Sequence, residues 1–260
     1  MSPIFRPKGR SKRLSGAEGA MSFQMPQAPE KGRYVQAMFD AIATNYDRVN
    51  DLMTAGAHRL WKRQVVDLTQ LQSGGKALDL ATGTGDIAFL LADRVGNQGA
   101  VVGLDFSEGM LAIARERELD GRPITWVQGD MTALDLPDAS FDAVTVGYGL
   151  RNVTDLDKAL REIHRVLRPG GRAVSLDLGK PRFKLVRWGA DLYSFRVVPL
   201  IGGLVSGNRD AYQYLPQSNL NFVDQRELAK RLEAVGFIDV LVQDRAMGAN
   251  AIVSATKPHA

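Results

Sequence analysis

Apolar residues recur at helical spacing early in the chain. Val35, Met38, Phe39, Ile42 and Tyr46 fall on one side of a 3.6-residue helix, which predicts an amphipathic helix over residues 34–52. A second helix is predicted over 58–71. The period then shortens: KALDLA (76–81) is an apolar run of strand length, followed by a glycine turn and the helical run DIAFLLADRV (86–95). The unit repeats, with a strand AVVGLD (100–105) and a helix over 107–118 that opens on Ser107 as N-cap. Strands are predicted over 124–128, 142–147 and 172–177, and a helix over 155–168 that Pro169, Gly170 and Gly171 should end. A helix over 225–235 precedes two runs, 237–243 and 251–257, that read as a closing antiparallel pair. Alternating strand and helix predict an α/β fold with a mostly parallel sheet flanked by helices.

One segment breaks this rhythm. Residues 181–221 form an aromatic helical insertion with Trp188, Tyr193, Phe195, Tyr212 and Tyr214, or an extra helix simply packed on the surface. In open α/β sheets the ligand lies beyond the carboxyl ends of the strands, where such an insertion can roof the crevice. The longest nearly apolar run, VVPLIGGLV (197–205), is too short to cross a membrane, which takes roughly 20 residues.

Composition narrows the chemistry. Of 260 residues none is cysteine and three are histidine, which disfavours disulfides, thiolate chemistry and a histidine-rich metal site. The formal charge is +4, but residues 1–33 hold seven bases and two acids, so the remainder is close to neutral. This distribution predicts a basic disordered tail (1–33) before one folded domain (34–260), and no nucleic-acid partner. Met21 is a second candidate initiator.

Residues 78–86 read LDLATGTGD. Gly83 and Gly85 let the backbone approach a ligand, and the following helix offers its first amides to an anion such as an amino-acid carboxylate. GTGDIA also satisfies the dinucleotide pattern G-x-G-x-x-G/A, so an NAD-dependent dehydrogenase is the natural rival. Asp79 and Asp86 separate the two. A pyrophosphate over the turn would meet like charge, whereas S-adenosylmethionine carries a sulfonium and an ammonium beside one carboxylate. Asp105, with Phe106 beside it, ends the next strand where ribose hydroxyls would lie. Gly129-Asp130-Met131 follows the third strand, suited to an adenine amino group and ring. Singly, Asp86 or Asp130 could be a helix cap or surface charge; in series the sites specify the methyl donor.

Three stretches carry a family resemblance: MFDAIATNYDRVN (38–50), the LDLATGTGD turn, and GYGLRNVTD (147–155), with weaker agreement in DAYQYLPQS (210–218) and AVGF (234–237). Over roughly residues 35–257 the chain resembles the ubiquinone/menaquinone biosynthesis C-methyltransferases, of demethylmenaquinone methyltransferase type. The resemblance implies a Rossmann-like class I methyltransferase fold, with a mostly parallel seven-stranded sheet and an antiparallel closing strand. It implies S-adenosylmethionine as donor, S-adenosylhomocysteine as product, and methylation of a ring carbon of a prenylated quinol. Thr84, Asp105, Asp130 and Met131 match cofactor-contacting positions. Two residues depart from the pattern. Thr82 stands where many relatives have cysteine or glycine, which bears on packing near the donor. Tyr148 stands where benzoquinol-acting members usually have phenylalanine, which points to a naphthoquinol, demethylmenaquinol or demethylphylloquinol, with a polyprenyl benzoquinol as the alternative.

Such an acceptor needs its hydroxyl ionised before the ring carbon becomes nucleophilic, hence positive charge and close alignment. Arg151 and Asn152, just past the fourth strand, are expected to face the donor methyl. Arg151 would lower the hydroxyl pKa and relay its proton through water, since a guanidinium is not a base; Asn152 would orient the ring. The alternative is that Arg151 pairs with Asp155 to fix the loop. His58 reads as a surface residue and His164 as structural. Tyr46 would cover donor or quinol, or be a core tyrosine, and the insertion with Tyr212 would receive the prenyl tail. The rival from another functional class is a donor-binding scaffold without catalysis. A cytoplasmic location at the inner face of a membrane, peripheral contact through the basic tail, and a homodimer complete the expectations.

Overall fold

The computed structural model describes residues 30–118, 121–207 and 209–259. The predicted tail lies outside these residues up to position 29, and the first helix begins at Glu30, inside the range assigned to that tail.

Seven strands form one sheet in the order β3-β2-β1-β4-β5-β7-β6. They are β1 (Lys76–Leu80), β2 (Ala100–Asp105), β3 (Ile124–Gln128), β4 (Phe141–Gly147), β5 (Leu167–Leu178), β6 (Ile238–Arg245) and β7 (Asn250–Thr256). β1 pairs in parallel with both β2 and β4, and β7 runs antiparallel to both β5 and β6. The sheet therefore has the expected parallel body and antiparallel close. Its strand order reverses between β1 and β4, so the chain leaves these two neighbours in opposite directions and opens a crevice above them.

The helices are α1 (Glu30–Ile42), α2 (Tyr46–Thr54), α3 (Ala57–Leu68), α4 (Asp86–Val95), α5 (Glu108–Arg117), α6 (Leu156–Val166), α7 (Lys184–Leu192), α8 (Val198–Ser206), α9 (Arg209–Asn221) and α10 (Gln225–Val235). Strand alternation sorts side chains between two cores. Leu78, Leu80, Val144 and Val146 pack on α6 and α10 through Leu160, Ile163, Leu228 and Leu232. Ala77, Val101, Ala143 and Val174 pack on α3 and α4 through Trp61, Val65, Leu91 and Val95. A third cluster sits apart: Val35, Met38, Ile42 and Val49 of α1 and α2 meet Val198, Tyr212 and Tyr214 of the insertion.

Two expectations shift. The helix predicted over 34–52 is two helices joined by a 3-10 turn, Ala43–Asn45, where Thr44 and Asn45 favour a turn over a helix interior. The helix predicted over 155–168 stops at Val166, with Asp155 as its N-cap, and Pro169-Gly170-Gly171 lies within β5. There Gly170 donates to the Lys257 carbonyl, and the Lys257 Nζ donates to the His164 and Leu167 carbonyls, which caps α6 by a tertiary contact. The insertion is helical as expected, from Lys184 onward, with a π-turn, Tyr193–Val197, between α7 and α8. No helix among the described residues is long and apolar enough to cross a membrane.

Leu80 is fully buried at the end of β1, directly under the crevice. Leu80→Ala should cost about 2–5 kcal/mol, measured as a lower urea midpoint at unchanged slope.

Candidate active site

The carboxyl ends of β1, β2, β3 and β4 surround a cavity of about 790 Å³, counting its open mouth, closed from above by α1 and the start of α2. Left-handed backbone marks its rim. After β1 the chain turns through Ala81, Gly83 and Gly85, all at positive φ, and after β4 through Tyr148 at φ +57°. A tyrosine in this region is strained, and such strain concentrates at functional sites. A Cβ built on Gly83 would meet no heavy atom within 4 Å, so this position faces the open cavity.

Gly83, Asp105, Phe106, Asp130, Met131, Tyr46, Tyr148 and Asn152 all line the cavity. Asp105 lies on its floor at the end of β2, accepting from the Gly83 amide at 2.7 Å and the Ser107 amide at 2.9 Å. Burial raises the Asp105 pKa, and the amides only partly offset it. Asp130 stays exposed after β3, accepting from the Thr132 amide at 2.8 Å, while Met131 beside it is buried.

Asp79, Thr84, Gly85, Arg151 and Tyr212 do not reach the lining. Asp79 points beneath the turn, where the hydroxyls of Thr82 and Thr145 each donate to it at 2.6 Å. Burial pushes its pKa up to about 6, with the two hydroxyls opposing. Gly85 packs on the rings of Trp126 and Phe89. Thr84 donates to Asp47 at 2.8 Å. Tyr212 is fully buried in the third core cluster instead of lining a channel.

The acids of the turn therefore do not line the cavity. Asp86 accepts from Lys62 and Arg117, each at 2.7 Å. Burial alone would raise its pKa, but the two cations outweigh that and hold it at about 2. Among the described lining residues Asp105 and Asp130 are the only carboxylic acids, and none is a lysine, arginine or histidine. Such a lining suits a cationic donor better than a pyrophosphate, and Asp79 and Asp86, from which that discrimination was expected, stand outside it.

Arg151 is not paired with Asp155, nor does it face the cavity. Its Nη1 donates to Asp177 at 2.5 Å and to the Tyr148 carbonyl at 2.8 Å, and the pair is almost wholly buried. Burial would lower the Arg151 pKa, yet Asp177 and then Tyr46 raise it. Asn152, the next residue, does reach the cavity. Its amide is held by the Tyr148 carbonyl at 3.3 Å and the Tyr214 hydroxyl at 3.2 Å. The Tyr148 hydroxyl donates to Asn250 Oδ1 at 3.0 Å, and burial raises its pKa, with Asp177 adding to the rise.

His58 is buried and bonded to Asp51 at 2.8 Å, contrary to the surface role expected of it; its helix start is covered by α2. His164 packs edge-on against Phe237, as a scaffold residue does.

Sequence reasoning missed three residues that organise the site. Asp177 ends an apolar strand as Asp79 and Asp105 do, a signal that was available. Asp47 lies in the stretch MFDAIATNYDRVN that carries the resemblance, whereas Arg117 gave no signal. Arg117 donates to Asp47 at 2.8 Å, to the Thr84 carbonyl at 2.9 Å and to Asp86, joining the roof to the glycine turn. Asp40 of α1 adds a second tie through Ser107 and the Gly109 amide.

A seven-stranded sheet with this order and a cavity at its switch point is the fold of class I methyltransferases. Residues 27–257 match the model of the ubiE/COQ5 methyltransferase family, and the chain belongs to that family. It is thus an S-adenosylmethionine-dependent C-methyltransferase. Curated relatives include the ubiquinone/menaquinone biosynthesis C-methyltransferase UbiE of Methylococcus capsulatus, 44% identical over 80% of this chain and 85% of its own length. The protein of the same name from Cellvibrio japonicus is 39% identical over 91% of this chain and 96% of its own. Among solved structures, an S-adenosylmethionine-dependent methyltransferase from Aquifex aeolicus superposes with a TM-score of 0.58, covering 81% of this chain and 97% of that one. At 20% identity that likeness is one of fold.

Between the ordinary Asp value of 3.8 and about 6, the folded protein holds a proton on Asp79 that the unfolded chain has released. Stability from this group is full below the lower value and lost as pH rises through the higher one. Asp79→Asn should therefore gain on the wild type from pH 4 to pH 7, by about 3 kcal/mol at most, in urea unfolding at each pH. A difference independent of pH would show that Asp79 ionises normally.

Proposed function

We propose that the protein transfers the methyl group of S-adenosylmethionine to a ring carbon of a prenylated naphthoquinol. The observation that carries this reading is the cavity: two acids and no base at the strand ends, continuous with an apolar wall of Val35, Phe39, Tyr46 and Tyr148 under a helical roof. One half suits a cationic nucleoside and the other a flat, apolar ring. The curated relatives bear names in ubiquinone and menaquinone biosynthesis, which supports a prenylated quinol. Tyr148, in the position where benzoquinol-acting members usually carry phenylalanine, supports the naphthoquinol ring.

In this reading Asp105 accepts from the ribose hydroxyls, Asp130 bonds the adenine amino group, Met131 and Phe106 pack on the base, and the backbone at Gly83 approaches the amino-acid end. The donor supplies an electrophilic methyl on sulfur. The acceptor hydroxyl gives its proton to water, the ring carbon attacks the methyl in line with the departing sulfur, S-adenosylhomocysteine leaves as the neutral thioether, and the ring proton then passes to water to restore aromaticity. Asn152, clamped by Tyr148 and Tyr214, orients the ring. Arg151 is a positioning residue: paired to Asp177, it holds the Tyr148 carbonyl and so the loop that presents Asn152.

Calorimetry should show S-adenosylmethionine binding that Asp105→Ala weakens at least about tenfold. With labelled donor, demethylnaphthoquinol should outpace the matching benzoquinol, and Asn152→Ala should lower kcat about a hundredfold while leaving donor affinity intact. Preference for the benzoquinol would overturn the ring assignment, and absence of donor binding the whole reading.

A further inference from the structure

α7 turns its apolar row outward. None of its residues is buried, and Leu185, Trp188 and Leu192, at i, i+3 and i+7, are 78%, 65% and 47% exposed. Phe183 precedes them at 74%, and the row continues through Tyr193 and Phe195 of the π-turn to Leu200 and Leu204 of α8. An amphipathic helix in a folded domain ordinarily buries such a row. Bases are interleaved with it: residues 180–207 contain Lys180, Arg182, Lys184, Arg187 and Arg196 against the single acid Asp191. Arg187 is braced on the Pro181 carbonyl, while Arg182, Lys184 and Arg196 are exposed.

We propose that this face, from Phe183 to Leu204, docks on an anionic lipid bilayer. Leucine and aromatic side chains enter the headgroup boundary, and the bases meet lipid phosphates. Charge complementarity favours this occupant over a second copy of the chain, whose docking would set like-charged faces against each other. The inference rests on the prenylated acceptor proposed above and adds where that acceptor is delivered. On their inner side the same helices complete the roof: Val198, Ile201 and Val205 pack with Val35, Met38 and Val49, and the Tyr193 hydroxyl donates to the Met53 carbonyl at 2.7 Å. The bilayer would lie one helical layer from the cavity.

The test is vesicle flotation of the full chain, with its basic tail present in every arm. The wild type should float with phosphatidylcholine vesicles holding about 30% phosphatidylglycerol, and bind pure phosphatidylcholine at least about tenfold more weakly. The double variants Leu185→Ser with Trp188→Ser, and Arg182→Glu with Lys184→Glu, should each lose at least about tenfold in binding to the anionic vesicles at unchanged melting temperature. Both should keep wild-type turnover on a short-chain, water-soluble quinol. The proposal fails if the wild type ignores anionic vesicles or if both variants bind like the wild type. It fails equally if light scattering finds a dimer that the Leu185→Ser, Trp188→Ser variant dissolves, since the face would then belong to a second copy. Flotation as expected with no methylation of any quinol would sink the acceptor reading and leave the docking face standing.

Discussion

A carboxylate buried between two parallel strands holds the site together. Asp79 of β1 accepts one hydroxyl from Thr145 of β4 and another from Thr82 of the glycine turn, so it bridges the strands that part at the switch point and fastens the turn to both. Burial of an ionisable group carries a cost, visible in its raised pKa, and two hydroxyl donors offset only part of it. What that cost supports is position. Gly83 and Asp105 are joined directly, so the end of β2 is referred to the same turn.

Charge in the molecule is sorted by where it is compensated. At the outer edge of the turn, Asp47 and Asp86 are met by Arg117, and Asp86 also by Lys62. Behind the loop after β4, Asp177 is met by Arg151. Inside the cavity the side chains of Asp105 and Asp130 accept from backbone amides and, among the described residues, meet no cation. The ion pairs also have a mechanical role, since Arg117 touches roof, turn and scaffold together.

The roof is the least conventional part of the fold. α1, α2, α8 and α9 share a small core of their own, distinct from the two that clothe the sheet. Through this core the roof is joined to the sheet scaffold by Met110 and Ile113 of α5, and by the polar ties of Asp40, Asp47 and Tyr214. It presents one face to the reaction and the opposite face, rich in leucine, aromatics and bases, to the surroundings.

Local periodicity was enough for the order of elements, because the strand and helix repeats depend on neighbours in the chain; α4, β2, β3 and α10 begin and end where the pattern places them. The glycine turn and the strand-end acids Asp105 and Asp130 were legible for the same reason. The partners of charged side chains were not. Arg151 was expected to face the donor and Asp86 to attract it, yet Arg151 pairs with Asp177 in the next strand, and Asp86 with Lys62 and Arg117 from two other helices. Which strand ends are adjacent follows from sheet order and helix packing, neither of which a local pattern encodes. The sequence by itself thus determined the layered α/β chain and the class of cofactor. Only the tertiary structure decided which carboxylates line the cavity, because an ion pair depends on proximity in space, and proximity here is set by the reversal of strand order between β1 and β4.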